Sequence, residues 1–406
     1  MRRDYDVILV GGGIVGAASM YQLQLRHPKL RLLLLEKADV LAAHQTGHNS
    51  GVIHSGLYYP PGSSKALNCV RGRHALVDFS VKYGVPHDIC GKVVAAATAE
   101  ELPRLDKIEA LGWQNEIEGL ERIDADQVRE IEPHLRSVGG LWVPCTGIID
   151  FPAATRKMVE VALGIQPESA VKTGVEALGF TQRDTGVTVR TSAGEFTGRA
   201  MVACAGLQAD RVARADGVDL PERVVGFRGD YYELEDHAKY KVRNLIYPVP
   251  DPAFPFLGVH FTRMTDGNIE CGPNAVFTFK REGYGKFDFS ARDTAEALSY
   301  SGTWRLFFGN MAFGINEYRR AFSKKLFLRT LQHLIPSLEM DDLRPGRSGV
   351  RALLLNKAGD TKDDFRIECK GRSIHVLNAP SPAATASLAI GEQVATWVER
   401  EWPDLF

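Results

Sequence analysis

The chain has 406 residues, 44% of them hydrophobic and 24% charged, with a net charge of −1. That length exceeds one ordinary core and predicts two or three domains. The balanced charge contains no basic run long enough to track a phosphate backbone, so nucleic acid is not an expected partner.

Tyr5 to Val10 is an apolar run of strand length, and Ala17, Ala18, Met20, Tyr21 and Leu23 continue with helical spacing. Between them stands Gly11-Gly12-Gly13-Ile14-Val15-Gly16. A second apolar run, Leu32 to Leu35, ends at Glu36, twenty residues after Gly16. Strand, Gly-x-Gly-x-x-Gly, helix, strand and acid in this register form a dinucleotide-binding fingerprint. Gly11 permits the tight turn, Gly13 lets the backbone approach a pyrophosphate, and Gly16 lets helix and strand pack closely. The pyrophosphate meets the free N–H groups where the helix opens at Ile14 and Val15. Glu36 accepts a hydrogen bond from the adenosine ribose and argues against a 2′-phosphate, which leaves FAD or NAD.

The stretch from His44 to Lys65 is dominated by small, polar and imidazole side chains, including Thr46, His48, Asn49, Ser50, Gly51 and His54. It suits a loop lying against a ligand. His44 and His48 are spaced i, i+4, but Gly47 and Gly51 oppose the helix that would align them on a metal, so none is expected. The six cysteines are scattered without a Cys-x-x-Cys pair. This argues against structural zinc or a disulfide framework and fits a reducing compartment. The first strand starts within five residues of Met1, and nowhere do 18 apolar residues run uninterrupted. A cytoplasmic protein without a targeting or membrane-spanning segment is expected.

Helices are predicted over 67–83, 100–111 and 124–132, the last with Asp124 as N-cap. Strands return over 171–177, 187–191 and 200–204. The turn Ala205-Gly206 then leads into a helix over 207–213. Residues 224–275 are rich in strand signals, in particular Arg228 to Tyr232, Tyr247 to Pro250 and Phe256 to Arg263. Their prolines and aromatics suit an antiparallel sheet with one covered face, on which His260, Thr262 and Arg263 are candidates to line a pocket. Residues 304–334 mix aromatics with arginines and lysines. They read as an amphipathic helix pair, packed on the core or lying on a membrane surface. A last strand over 373–377 feeds the small-residue turn Asn378 to Thr385 and a helix over 387–399. That returns the C-terminus to the nucleotide domain, with a helix N-terminus whose dipole suits a negatively charged flavin ring.

Thr46 to Tyr59 with Pro61 to Ala66, Cys204 to Asp210, Gly258 to Arg263, Gly272 to Ala275, Ser348 to Ala352 and His375 to Ala383 together are distinctive. The chain resembles, over nearly its whole length, the L-2-hydroxyglutarate oxidases/dehydrogenases of the FAD-dependent D-amino-acid oxidase (DAO) superfamily. Residues 280–320 are the least similar. The resemblance implies an α/β, Rossmann-like FAD-binding domain assembled from 1–83, 145–215 and 345–406. It implies an α+β substrate domain, 84–144 and 216–344, whose antiparallel sheet covers the flavin. It also favours FAD over NAD. The cofactor residues it implies are Gly11, Gly13, Ile14, Val15, Gly16, Glu36, Lys37, His44, Thr46, His48, Asn49, Ser50, Gly51, Val171, Ala205, Gly206, Arg351, Pro382 and Ala383.

Oxidation of a 2-hydroxy acid requires a base for the hydroxyl proton and cations for the carboxylates. Histidine suits the first and arginine the second. His54, ranked first, or His260 is the expected base, the other orienting the substrate. Arg263 is the first expected carboxylate clamp, followed by Arg228 and Arg351. The substrate implied is a small 2-hydroxy dicarboxylic acid. Electrons would pass to oxygen or to a membrane quinone, the latter through a peripheral membrane contact at 304–334. Oligomeric state is not legible. Two rivals remain: oxidation of an amino acid or amine, for which carboxylates rather than histidines would face the substrate, and an FAD-binding protein without turnover.

Overall fold

The computed structural model describes residues 4–250, 258–361 and 364–406. Its first sheet is centred on Tyr5–Val10, which runs parallel to Leu32–Leu35 on one side and to Gly194–Ala203 on the other. Ala170–Lys172 and Ser373–Asn378 extend it, also in parallel. Strands covered on both faces need no polar alternation, which is why Leu32–Leu35 is apolar throughout and fully buried. Helices Ile14–Arg26, Phe151–Ile165 and Ser387–Glu401 cover one face, burying Met20, Met158 and Val394 against Val7, Leu9 and Ile374. Val187 and Val189 pack on Ile8 and Leu33 on the other.

The register brings three strand ends level and carries a fourth strand, Ser373–Asn378, three residues beyond them. Val10 pairs with Leu35 and with Ala203, and Ala203 with His375. The segments that follow, Gly11 to Gly16, Glu36-Lys37, Cys204 to Gly206 and Asn378 to Thr385, therefore meet along one edge. In a parallel sheet this edge, beyond the carboxyl ends of the strands, is where a ligand binds.

The second sheet is mostly antiparallel. Arg223–Leu234 is its central spine, flanked by Leu343–Leu355, Ile269–Gly272 and Val276–Phe277. His260–Arg263, Leu245–Pro248, Lys92–Ala96, Gly139–Val143 and Glu121–Ile123 continue it, with one parallel pairing, between Leu245–Pro248 and Lys92–Ala96. Leu343–Leu355 pairs with Arg223–Leu234 along its length, so the chain returns to the first sheet after 355 and not at 345 as expected. The strand expected over 171–177 is split into Ala170–Lys172 and Ala177–Arg183, with Gly174 turning the chain at φ +68°.

The expected helices fall at Ser64–Tyr83, Leu102–Gln114 and Ala125–Ile131, the last closed by a capping box between Asp124 and Gln127. Residues 304–334 form three helices, Ser301–Gly309, Met311–Phe322 and Lys324–Leu331, in place of a pair. The third buries Phe327, Leu328 and Leu331 against the second sheet. The first two leave Trp304, Phe308, Met311, Ile315 and Phe322 exposed. Phe256 and Leu257, expected to open the strand through Arg263, lie outside the described residues. No helix among the described residues is long and apolar enough to cross a membrane.

Candidate active site

The fingerprint is tight. Gly11 sits at φ +113°, and a Cβ there would stand 2.3 Å from the Cys204 carbonyl oxygen. A Cβ on Gly16 would stand 2.0 Å from the Gly11 carbonyl oxygen, so this glycine lets the helix lie on the strand. Thr46 Oγ1 accepts a hydrogen bond from the Ile14 N–H at 3.0 Å and holds the following loop against the helix start. The Glu36 carboxylate accepts from the Gly12 N–H at 2.7 Å and the Ala38 N–H at 2.8 Å, which fixes its position beside the glycine turn.

From here a cavity of about 1440 Å³ runs to the second sheet. It exceeds the roughly 300–1,000 Å³ usual for a single small ligand, and has room for an extended cofactor with a substrate beyond it. Of the expected cofactor residues, Gly11, Gly13, Ile14, Val15, Glu36, Lys37, His44, Thr46, His48, Asn49, Ser50, Ala205, Gly206, Arg351, Pro382 and Ala383 line it, as do His54 and His260. Gly16 and Gly51 stand behind the lining; Gly51, at φ +65°, turns the loop against Ile149. Val171 is inside a strand, paired with Leu34, and does not line the cavity. Val175 does, its N–H donating to the Glu36 carbonyl at 2.9 Å.

Arg263 is the main correction. Along His260–Arg263 the side chains alternate, so His260 faces the cavity while Phe261 joins the core on the far side of the sheet. Arg263 shares Phe261's side and ion-pairs with Asp88, outside the cavity lining. Arg228 fails for the same reason. Phe227, Gly229 and Tyr231 line the cavity, whereas Arg228 points away to Asp230 at 2.8 Å and the Gly285 carbonyl at 2.6 Å. Arg351, opposite Phe227 on the neighbouring strand, is the arginine on the correct face.

A strap from the second sheet crosses the nucleotide end. Lys37 Nζ donates to both Glu282 oxygens, at 2.5 and 2.6 Å. The His48 ring stacks on Tyr284 at 3.7 Å, and its Nδ1–H donates to the Ser348 carbonyl at 2.9 Å.

At the far end, the His54 N–H donates to Thr385 Oγ1 at 3.1 Å, and the Thr385 hydroxyl donates to the Val52 carbonyl at 3.2 Å. Thr385 thereby pins this loop to the start of the C-terminal helix. Burial, then the Lys92 ammonium and His260, push the His54 imidazole down to about 3. His260 Nδ1–H donates to the Gly258 carbonyl at 3.0 Å, leaving Nε2 as an acceptor, and the ring stacks on Tyr247 at 4.1 Å. Burial lowers His260 to about 4 against that hydrogen bond, with Arg351 and Lys92 adding to the effect. Burial also raises the phenols of Tyr58 and Tyr247 well above their usual value, and that of Tyr231 to about 12.

Near neutral pH this end therefore offers two uncharged imidazoles, three un-ionised phenols and the cation Arg351, with Lys65 also on the cavity wall and Lys92 behind the Tyr58 and Tyr247 rings. The carboxylates that line the cavity, Glu36, Glu176 and Glu282, belong to the nucleotide end. Sequence reasoning missed Tyr58, Lys92, Tyr231, Tyr247, Thr385 and Glu282. Tyr58, Tyr231, Tyr247 and Thr385 lie in stretches singled out above, and Lys92 opens the otherwise apolar run Lys92–Ala96.

A dinucleotide crevice at the strand ends, closed by a sheet that presents neutral bases and cations, defines an oxidoreductase with a dinucleotide cofactor. The family of FAD-dependent oxidoreductases, DAO, matches residues 6–397, and the chain belongs to it. FAD is the cofactor of that family, and the glycine turn, the anchored Glu36 and the long cavity fit it. The chain is 44% identical over 397 residues to an L-2-hydroxyglutarate dehydrogenase of Indibacter alkaliphilus, covering 97% of this chain and 98% of the relative. It is 41% identical over 398 residues to one of Escherichia coli (strain K12), covering 97% and 93%. Among solved structures it resembles the FAD-bound L-α-glycerophosphate oxidase of Mycoplasma pneumoniae, with a TM-score of 0.79, 22% identity and coverage of 98% and 95%. Glycine oxidase of Geobacillus kaustophilus follows at a TM-score of 0.72, 18% identity and the same coverage.

Proposed function

We propose that the protein oxidises L-2-hydroxyglutarate to 2-oxoglutarate. The observation that carries this reading is the one-sided end of the cavity, where His54, His260 and Arg351 line the wall, Lys92 acts on both histidines from behind it, and no acid lines it among the described residues. A substrate with carboxylates suits that surplus of positive charge; an amine does not. The relatives supply the particular acid.

FAD, when bound, accepts the hydride from the substrate's C2. The protein's part is to hold the acid and take the hydroxyl proton. Arg351 binds the carboxylate beside C2. No hydrogen bond among the described residues engages the His54 ring, which is available to receive the proton. His260, held by Gly258 and Tyr247, presents Nε2 to the hydroxyl and orients it. An imidazole at about 3 is a poor base at neutral pH. A bound dianion offsets the nearby cations and raises His54 toward the working range, so that proton transfer is favoured only when substrate is present.

The test is anaerobic mixing of the FAD-loaded protein with each isomer while the visible spectrum is recorded. Bleaching of the oxidised flavin band by the L isomer and not the D isomer supports the assignment. A flavin left oxidised by both rejects this substrate.

The electron acceptor in this reading is a quinone met at a membrane surface. Met311 and Ile315 line the cavity and are exposed as well, so the cavity reaches the surface between the helices Ser301–Gly309 and Met311–Phe322. Phe308, on the first of these helices, is 69% exposed, and Phe287, whose ring lies 6.1 Å from that of Phe322 at the end of the second, is 87% exposed; Arg305 and Arg319 on the two helices and Lys325 on the next are exposed as well. Apolar rings ringed by cations suit an anionic bilayer surface. Co-sedimentation with anionic vesicles that is lost in Phe287→Ser/Phe308→Ser would support this. Equal sedimentation of both proteins would reject it.

A further inference from the structure

Lys92 opens the strand Lys92–Ala96 and is 1% exposed. Its Nζ stands 4.8 Å from the ring centre of Tyr58 and 5.1 Å from that of Tyr247, whose ring also stacks on His260. Among the described residues no carboxylate pairs with it; the groups that favour its charge are the thiols of Cys69 and Cys145. Two aromatic faces offset part of the cost of burying an ammonium, and a buried cation still calls for an anion. The nearest space in which an anion can arrive is the cavity, whose wall includes Tyr58, Tyr247, His54 and His260. Arg351 and Lys65 are cations on the cavity wall, and Lys92 stands behind it. The Lys92 charge acts on both histidines and that of Arg351 on His260.

We propose that Lys92 is a positioning residue that selects a second carboxylate on the substrate. It acts through its field across Tyr58 and Tyr247, while Arg351 holds the carboxylate beside the reacting carbon. This rests on the 2-hydroxy-acid reading above and adds to it the origin of the preference for a diacid.

The proposal has a test that needs no substitution. Burial lowers Lys92 to about 8. The groups around it keep their charge between pH 7 and 9: His54 and His260 titrate far below, while Tyr58, Tyr247, Cys69 and Cys145 are raised by burial. Arg351, Arg73 and Lys65 are the other cations of the cluster, and a guanidinium is not discharged in this range. Raising the pH across this window discharges Lys92. The ratio of KM for L-2-hydroxypentanoate to KM for L-2-hydroxyglutarate should then fall about tenfold. Lys92→Met, which keeps the length and removes the charge, should raise KM for the diacid at least tenfold and leave KM for the monoacid within twofold. Lys92→Arg should restore most of the diacid preference.

Equal effects on both acids, or a preference that is flat from pH 7 to 9, would overturn the proposal. Loss of FAD from the Met variant would leave the pH series on the parent protein as the deciding measurement. Absence of turnover with L-2-hydroxyglutarate in the parent would instead reject the substrate assignment. Spectral titration of the bound flavin with glutarate and with pentanoate would then compare diacid and monoacid binding across the same pH series.

Discussion

At the nucleotide end of the cavity the groups on offer are backbone N–H groups and a carboxylate that two of them hold in place. At the substrate end they are side chains from strands and loops far apart in the chain, residues 54, 58, 231, 247, 260 and 351. The first end tolerates almost no change of backbone and is nearly indifferent to which apolar residues surround it. The second depends on which face of a strand a single side chain occupies. The difference explains why glycines dominate one end while side chains from several separate stretches make up the other.

Substitutions should separate the two ends, and the largest effect is expected at the glycines. Gly16→Ala places a methyl 2.0 Å from the Gly11 carbonyl oxygen. It should cost more than about 4 kcal/mol and abolish FAD retention, read by thermal unfolding and flavin absorbance. A normal flavin content would show that helix and strand can separate without loss of the site.

His54→Ala should leave the flavin in place and lower turnover about 10²–10⁴-fold, as loss of a general base does. Retained flavin with parental turnover would remove His54 from the chemistry and leave His260 as the candidate base.

The two faces of the second sheet are compared by a pair of variants. Arg351→Met should raise KM for the acid by about 10–100-fold, the worth of a hydrogen-bonded charge. Arg263→Ala, on the opposite face, should stay within about twofold, as for an exposed ion pair. The reverse ranking would mean that the sheet turns its other face to the substrate.

Glu282→Gln, which loosens the strap on Lys37, should speed FAD release by about fivefold without changing the spectrum of bound flavin. An unchanged release rate would assign the strap a role other than cofactor retention.

The smallest effect is a pH response that should be missing. His54 and His260 take up protons only near 3 and 4, so kcat/KM, which reports free enzyme, should show no acidic limb from either between pH 5 and 8. A limb near 6.5 would mean that the site is wetter than its burial implies. Their contribution to stability has the corresponding sign. Unfolded histidines bind protons from about 6.5 downward and these two do not, so stability is full above that pH and is lost as pH falls from 6.5 toward 3.

The sequence by itself determined the dinucleotide end, because its parts are contiguous and its chemistry is that of the backbone. Gly11 to Gly16, Glu36 at the end of the second strand and the loop from His44 to His54 were all legible there. Even so, Val171 was chosen where Val175 lines the cavity, since Gly174 ends the strand between them. Only the tertiary structure decided the substrate end. Alternation along His260–Arg263 and Arg223–Leu234 admitted His260 and excluded Arg263 and Arg228, and cross-strand register placed Arg351 opposite Phe227. Local pattern could tell that one face of each strand would be covered. Which covered face met the cofactor depended on how two sheets, built from interleaved segments of the chain, close on one another.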